Sequence, residues 1–304
     1  MSPSEPSPAP AASGPAGAAR REDRTLGLLL CAPAFLVMSA VAGFPILYAV
    51  WLSLHRADLR APDDFAFIGL DNYATVLSSP IWWNAFAVTL LIAVVSTAVE
   101  LVLGMALAIV MHSTTVARGL IRTAVLVPYA IVTIVAAFAW RFAWTQHTGW
   151  LAGSAAPLTD PASAIVIIIL SEVWKTTPFM ALLLLAGLAT VPVDLLRAAE
   201  IDGASAWQRF RWVILPMMKP VILVALLFRL IDAFRIFDNI FVLTNGANGT
   251  ASVSIVAYNN LIRGLNLGIG STMSVLICLS IALLTWGVVA SFGIGGDSGR
   301  RGAG

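Results

Sequence analysis

The chain has 304 residues, of which 59% are hydrophobic and only 11% charged, with a mean hydropathy of +0.88. A soluble domain carries about 25% charged residues, so the composition excludes a soluble domain and identifies an integral membrane protein. The net charge of +2 gives no hold for nucleic acid. Cys31 and Cys278 both fall in apolar runs, which points to neither a disulfide framework nor a metal site.

Residues 1–24 are rich in Pro, Ala, Ser and Gly and turn basic at Arg20, Arg21 and Arg24. Such a segment buries too little apolar surface to offset its ordering entropy, and it reads as a disordered tail. No internal repeat is visible. A helix needs about 20 apolar residues to cross the hydrocarbon core. Six runs qualify: 26–52, 84–111, 120–144, 162–189, 221–243 and 269–292. The first holds Ala40-Val41-Ala42, which looks like a signal cleavage site, but its apolar run continues to Leu54 and reads as a retained span. The six spans form one domain over 25–293, followed by a short tail over 294–304.

Basic residues set the orientation. With the N-terminus inside, the inner segments hold Arg20, Arg21, Arg24, Arg118, Arg122, Arg197, Arg209, Arg211, Lys219, Arg300 and Arg301, against Arg56, Arg60 and Arg263 outside. Both termini are therefore expected in the cytoplasm of a cell carrying this multi-pass protein in its plasma membrane. Trp82, Trp83, Trp140, Trp144 and Trp150 fall near the predicted outer ends, as an interfacial aromatic belt would.

Several spans contain ionisable residues. Arg141 and Asp238 lie toward outer ends, where they can snorkel. Glu100, Glu172, Lys175, Arg229, Asp232 and Arg235 are deeper, where a charge costs about 2.5–3.5 kcal/mol on insertion scales. They should face the protein interior or a wet cavity. Glu172, Lys175, Thr176 and Phe179 share one face of the fourth span, and Arg229, Asp232, Ala233 and Ile236 share one face of the fifth. The two spans run antiparallel, so both faces fall at one depth. Carboxylates and amines suit sugar hydroxyls, and Phe179 or Trp174 suits the apolar face of a pyranose. The pairs Glu172–Lys175 and Arg229–Asp232 also read as intrahelical salt bridges.

Between the fourth and fifth spans lies a polar island, Arg197-Ala198-Ala199-Glu200-Ile201-Asp202-Gly203-Ala204, followed by Phe210, Val213, Leu215 and Pro216. It reads as a structured loop whose small residues admit another protein's surface and whose glycine lets the backbone turn. Its spacing resembles the coupling loop of binding-protein-dependent ABC importer permeases: Glu-Ala-Ala, two residues, Asp-Gly-Ala, then Phe, Ile/Val and Leu-Pro. The family's leading glutamate is Arg197 here. Further likeness to the sugar-importing branch lies in Pro45, Phe67-Ile68-Gly69-Leu70-Asp71-Asn72-Tyr73, Pro128, Trp174, Pro178-Phe179 and Ile236 to Gly246.

The resemblance implies an all-α membrane protein of six helices with the ABC importer type I permease fold and a cytoplasmic coupling loop over 190–219. It implies a transport subunit rather than an enzyme, carrying half of the pathway for a disaccharide. The nearest resemblance is to an actinobacterial trehalose-import permease, which favours trehalose with a maltose-like sugar as the alternative, and the arginine-rich, lysine-poor usage fits such a source. The implied partners are a second homologous permease, two ATPase subunits and an extracytoplasmic sugar-binding protein. No G-x-x-x-x-G-K-[ST] motif is present, so ATP and Mg are expected on the partner ATPase and no cofactor on this chain. Coupling falls to Arg197, Ala198, Ala199, Glu200, Asp202, Gly203, Ala204, Phe210 and Pro216. Sugar binding falls to Lys175, Thr176, Phe179, Arg229, Asp232, Ala233 and Ile236, with Glu172 beside them. Arginine at position 197 would repel the basic ATPase residue that the family's glutamate meets, so either Glu200 takes over or the partner carries an acid there.

Two other readings compete. An ion-coupled secondary transporter would use the buried carboxylates as proton relays, and inverted repeats and broken helices would mark it. A membrane enzyme would need a catalytic constellation, and His55, His112 and His147 have no ligand spacing.

Overall fold

The computed structural model describes residues 30, 32–114 and 118–292. The expected tails over 1–24 and 294–304 lie outside them. The chain divides into two compact units, one ending at Trp51 and one beginning at Leu52.

The first unit holds most of helix α1 (Ala32–Ser53). This helix widens to a π turn over Ser39–Gly43, and Phe44, Tyr48 and Trp51 stack along it at ring separations of 6.0 and 5.7 Å.

The second unit opens with a hairpin of β1 (His55–Arg56) and β2 (Ala66–Phe67), antiparallel, with His55 opposite Phe67. In the loop between the strands Arg60 donates to Asp58 at 2.9 Å and holds its carboxyl down to about 2. Helix α2 (Asp71–Leu77) follows, then α3 (Pro80–Ser113). At 34 residues α3 is about 51 Å long, well beyond the hydrocarbon core. Next come α4 (Arg118–Ala130) and α5 (Thr133–Ala143), then α6 (Pro161–Leu188) with Asp160 as its N-cap. Helix α7 (Val193–Ile201) and the short α8 (Ala206–Arg209) lead through a π turn at Phe210–Ile214 into α9 (Leu215–Phe234). Helices α10 (Asp238–Leu243), α11 (Val253–Tyr258) and α12 (Leu267–Ser291) complete the described chain.

Three expectations need correction. The third span is not one helix: α4 and α5 meet at a bend of 83° across Ile131 and Val132. Pro128 lacks an N–H and weakens the ladder just before the break. The fifth span does not begin at 221. Helical structure runs from Ala206 through the π turn into α9, and the wider turn accommodates Pro216, which has no N–H to give. Trp82 does not join an outer belt. It is 2% exposed and packs with Val76, Phe234 and Val253.

Small residues bring the central helices close. A Cβ on Gly104 of α3 would lie 2.8 Å from Met180 Cγ of α6, so only glycine permits this approach. One apolar cluster, built on Met105, Met111, Met180, Leu184 and Met218, fills the end of these helices near α7. Two others, around Phe234 and around Ile92, Ile168 and Ile240, fill the opposite end. The charged residues lie between these apolar layers.

Candidate functional site

Arg229 is the centre of the polar layer. It is 1% exposed, and its guanidinium meets three carboxylates on three sides. Nε donates to Glu100 of α3, and Nη2 reaches the other Glu100 oxygen at 2.9 Å. Nη2 also reaches Glu172 of α6 at 3.1 Å, and Nη1 reaches Asp232 one turn along α9 at 2.8 Å. Asn239 of α10 donates to the remaining Glu172 oxygen. Four helices are thus tied at one level. The planar fork of arginine suits this arrangement, because one group satisfies several carboxylate oxygens with no acceptor of its own left unpaired.

Beside this layer lies a cavity of about 650 Å³. Its walls include Tyr129, Ile131 and Thr133 from the α4–α5 break, Glu172, Lys175, Thr176 and Phe179 from α6, and Asp232, Ile236, Asp238 and Asn239 from α9 and α10. Phe179 stacks on Tyr129 at 5.4 Å with the rings 16° apart. The Lys175 ammonium donates to the Ile131 carbonyl at 2.6 Å and stands 5.9 Å from the Tyr129 ring centre. Thr176 turns its hydroxyl back to the Glu172 carbonyl at 2.7 Å.

Six of the eight residues expected at a pocket meet in this wall: Glu172, Lys175, Thr176, Phe179, Asp232 and Ile236. Arg229 and Ala233 do not. Arg229 lies behind the wall, turned to Glu100, and Ala233 packs into the apolar cluster around Phe234. The intrahelical bridge Arg229–Asp232 forms, but Glu172 pairs across helices with Arg229 rather than with Lys175. Trp174 faces Trp140 at 6.1 Å and is outside the wall. Asp238, expected to snorkel, lines the cavity, and Arg141 donates to the Val242 carbonyl at 3.0 Å. Sequence reasoning missed the link from Glu100 to Arg229, 129 positions apart, and the roles of Asn239 and Tyr129. The presence of an acid in an apolar span was the one available signal for Glu100.

The second candidate region is the polar island, which is helix–turn–helix rather than loop. Arg197 to Ile201 form the last turns of α7. Gly203 has φ +81°, its N–H donates to the Glu200 carbonyl at 3.0 Å, and the Ala204 N–H donates to the Ala199 carbonyl at 2.9 Å. These are the paired bonds of a Schellman cap, with glycine at its left-handed position. Ser205 then starts α8 through a reciprocal capping box with Gln208. Arg197, Ala198, Glu200, Asp202 and Gly203 are exposed, as is Pro216, while Ala199, Ala204 and Phe210 are half-buried. Glu200 pairs with Arg209 at 2.8 Å, and Arg197 lies 3.8 Å from Asp194. Glu200 is therefore engaged within the chain.

A bundle of membrane-length helices with a polar mid-level cavity and a helix–turn–helix at one end defines a transport permease of the ABC importer type I fold. The chain matches the family described as binding-protein-dependent transport system inner membrane component over residues 100–293, and it belongs to that family. It is 56% identical over 285 residues to the trehalose transport system permease protein SugA of Mycobacterium tuberculosis, covering 92% of this chain and 93% of that one. It is 40% identical over 270 residues to the trehalose/maltose transport system permease protein MalF of Thermococcus litoralis, covering 86% and 91%. In fold it is similar to a chain of the bacterial alginate ABC transporter solved in complex with an alginate pentasaccharide-bound periplasmic protein, with a TM-score of 0.74 at 21% identity over 88% and 93% of the two chains. The chain is a multi-pass membrane component and not an enzyme. The break between α4 and α5 is the kind of feature that marks secondary transporters, but family membership overrides that reading.

Proposed function

We propose that this chain is one permease subunit of an ATP-driven sugar importer, with trehalose the favoured substrate. The observation that carries the reading is the cavity at the level of the Arg229 cluster. Carboxylates and an ammonium in its wall suit hydroxyls, and the stacked rings of Phe179 and Tyr129 offer an apolar face for a pyranose. The identity to permeases named for trehalose supports the choice of sugar. Glu172, Lys175, Thr176, Phe179, Asp232 and Ile236 contact the sugar in this reading, and Arg229 and Ala233 support the wall from behind.

A second, homologous permease completes the pathway, two ATPase subunits carry ATP and Mg, and an extracytoplasmic binding protein delivers the sugar. The ATPase docks on Arg197 to Ala204, with Phe210 and Pro216 bearing on the same turn. Because Glu200 is held by Arg209, an acid on the partner meets Arg197. Both termini and the turn at Gly203 are cytoplasmic, in the plasma membrane, as the placement of arginines favours. Closure of the ATPases pushes the turn and swings the helices between inward- and outward-facing states.

The test is uptake of labelled trehalose by the reconstituted assembly. Uptake that requires ATP and the binding protein supports the proposal. Uptake that survives ATP depletion and dies with an uncoupler overturns it in favour of an ion-coupled carrier.

A further inference from the structure

Lys175 is placed unlike the other charges of the polar layer. It is 8% exposed, yet among the described residues no carboxylate lies within ion-pair distance, although Glu172 is one turn away on the same helix. Its hydrogen bond goes instead to a backbone carbonyl, that of Ile131, at 2.6 Å. Ile131 belongs to the two-residue break at which α4 and α5 bend by 83°. A helix broken within a bilayer frees backbone groups that the helical ladder no longer satisfies, and each needs a partner in the protein or in a cavity it lines. Lys175 supplies that partner. The same break is held to α6 a second time, by the stack of Tyr129 on Phe179. All four residues line the cavity.

An ammonium has three N–H donors and a single charge on a flexible four-carbon stem. A ligand oxygen in the cavity competes with the Ile131 carbonyl for that charge. We propose that Lys175 is a positioning residue that holds the bend between α4 and α5, and that a hydroxylated ligand accepting a hydrogen bond from it loosens this hold. The α4–α5 wall then responds to occupancy. The second half rests on the sugar reading given above, whereas the first half does not.

The experiment uses the full assembly in lipid nanodiscs, with Cys31→Ser and Cys278→Ser and spin labels at Leu120→Cys on α4 and Phe138→Cys on α5. Both label positions are well exposed, at 72% and 57%. Pulsed EPR reads the distance across the bend with and without saturating trehalose. The unsubstituted assembly should give one narrow distance without sugar and a second population with it. Lys175→Met should show both populations without sugar, the pinned one falling by about tenfold, as expected for loss of a hydrogen bond from a charged donor. Lys175→Arg should restore the narrow distance. Where the Met variant fails to assemble, Lys175→Gln on a shorter stem should broaden the distance in the same way. A narrow, unchanged distance in the Met or Gln variant overturns the positioning role. A distance in the unsubstituted assembly that ignores trehalose overturns the response to occupancy. A raised KM with an unchanged distance leaves Lys175 a sugar contact only, so this inference falls while the sugar reading stands. If no sugar drives uptake, the sugar reading falls, and the sugar-free distances still decide the positioning role.

Discussion

Arg229 and Arg209 both pair with glutamate, but in opposite surroundings. Arg229 and Glu100 are 1% and 0% exposed, and the guanidinium has further bonds to Glu172 and Asp232. Arg209 and Glu200 are 25% and 66% exposed and form a single contact beside the turn at Gly203. In the first case the pair is sealed from solvent, and its polar groups must be satisfied within the chain. In the second, water or a partner protein can satisfy what the chain does not. Arg229 and Glu100 therefore tie helices together behind the cavity wall, with Asp232 left open to the cavity, whereas the turn leaves most of its residues exposed.

The contrast predicts a graded series. Arg229→Met leaves two buried glutamates without their counter-charge and should cost about 3–5 kcal/mol, read as loss of the assembled permease in thermal unfolding of the solubilised complex. A variant as stable as the parent would show that the layer is wet. Gly203→Pro removes the left-handed cap, and Asp202→Ala alters the exposed face beside it. Both should abolish ATP-dependent uptake while membrane insertion stays normal, and normal uptake by both would remove the coupling role. Asp232→Ala and Phe179→Ala should weaken the apparent affinity for sugar by about tenfold each, the scale of one charge-assisted bond or one stacked ring. Unchanged affinity in both would take them out of the pocket. Glu200→Ala should change stability by less than about 1 kcal/mol, because an exposed pair contributes little. A larger loss in the same unfolding assay would mean that the turn depends on this ion pair rather than on its backbone caps.

Much of this architecture is legible in the residues. The long apolar runs mark the membrane helices because a bilayer admits few other backbones. The Asp-Gly spacing marks the turn, because few residues other than glycine take φ +81° without strain. Helical periodicity brings Lys175, Thr176 and Phe179 to one wall, since i, i+1 and i+4 can share a broad face. The break after Ala130 was not legible. Pro128 is tolerated within many membrane helices, and its effect depends on whether a neighbour donates to the freed carbonyl. Burial of Trp82 was equally hidden, since an aromatic near a span end fits the belt and the core alike.

Composition and local spacing thus determine what kind of solvent this chain lives in, which segments are helical, and where the backbone must turn, because these depend on transfer free energies and on steric limits within a few residues. Packing alone assigns partners. Whether Glu172 meets Lys175 three residues away along its own helix or Arg229 across the bundle, and whether Arg229 faces the cavity or Glu100, depends on which helices approach closely enough. That approach is set by small side chains such as Gly104, far from the charges they bring together.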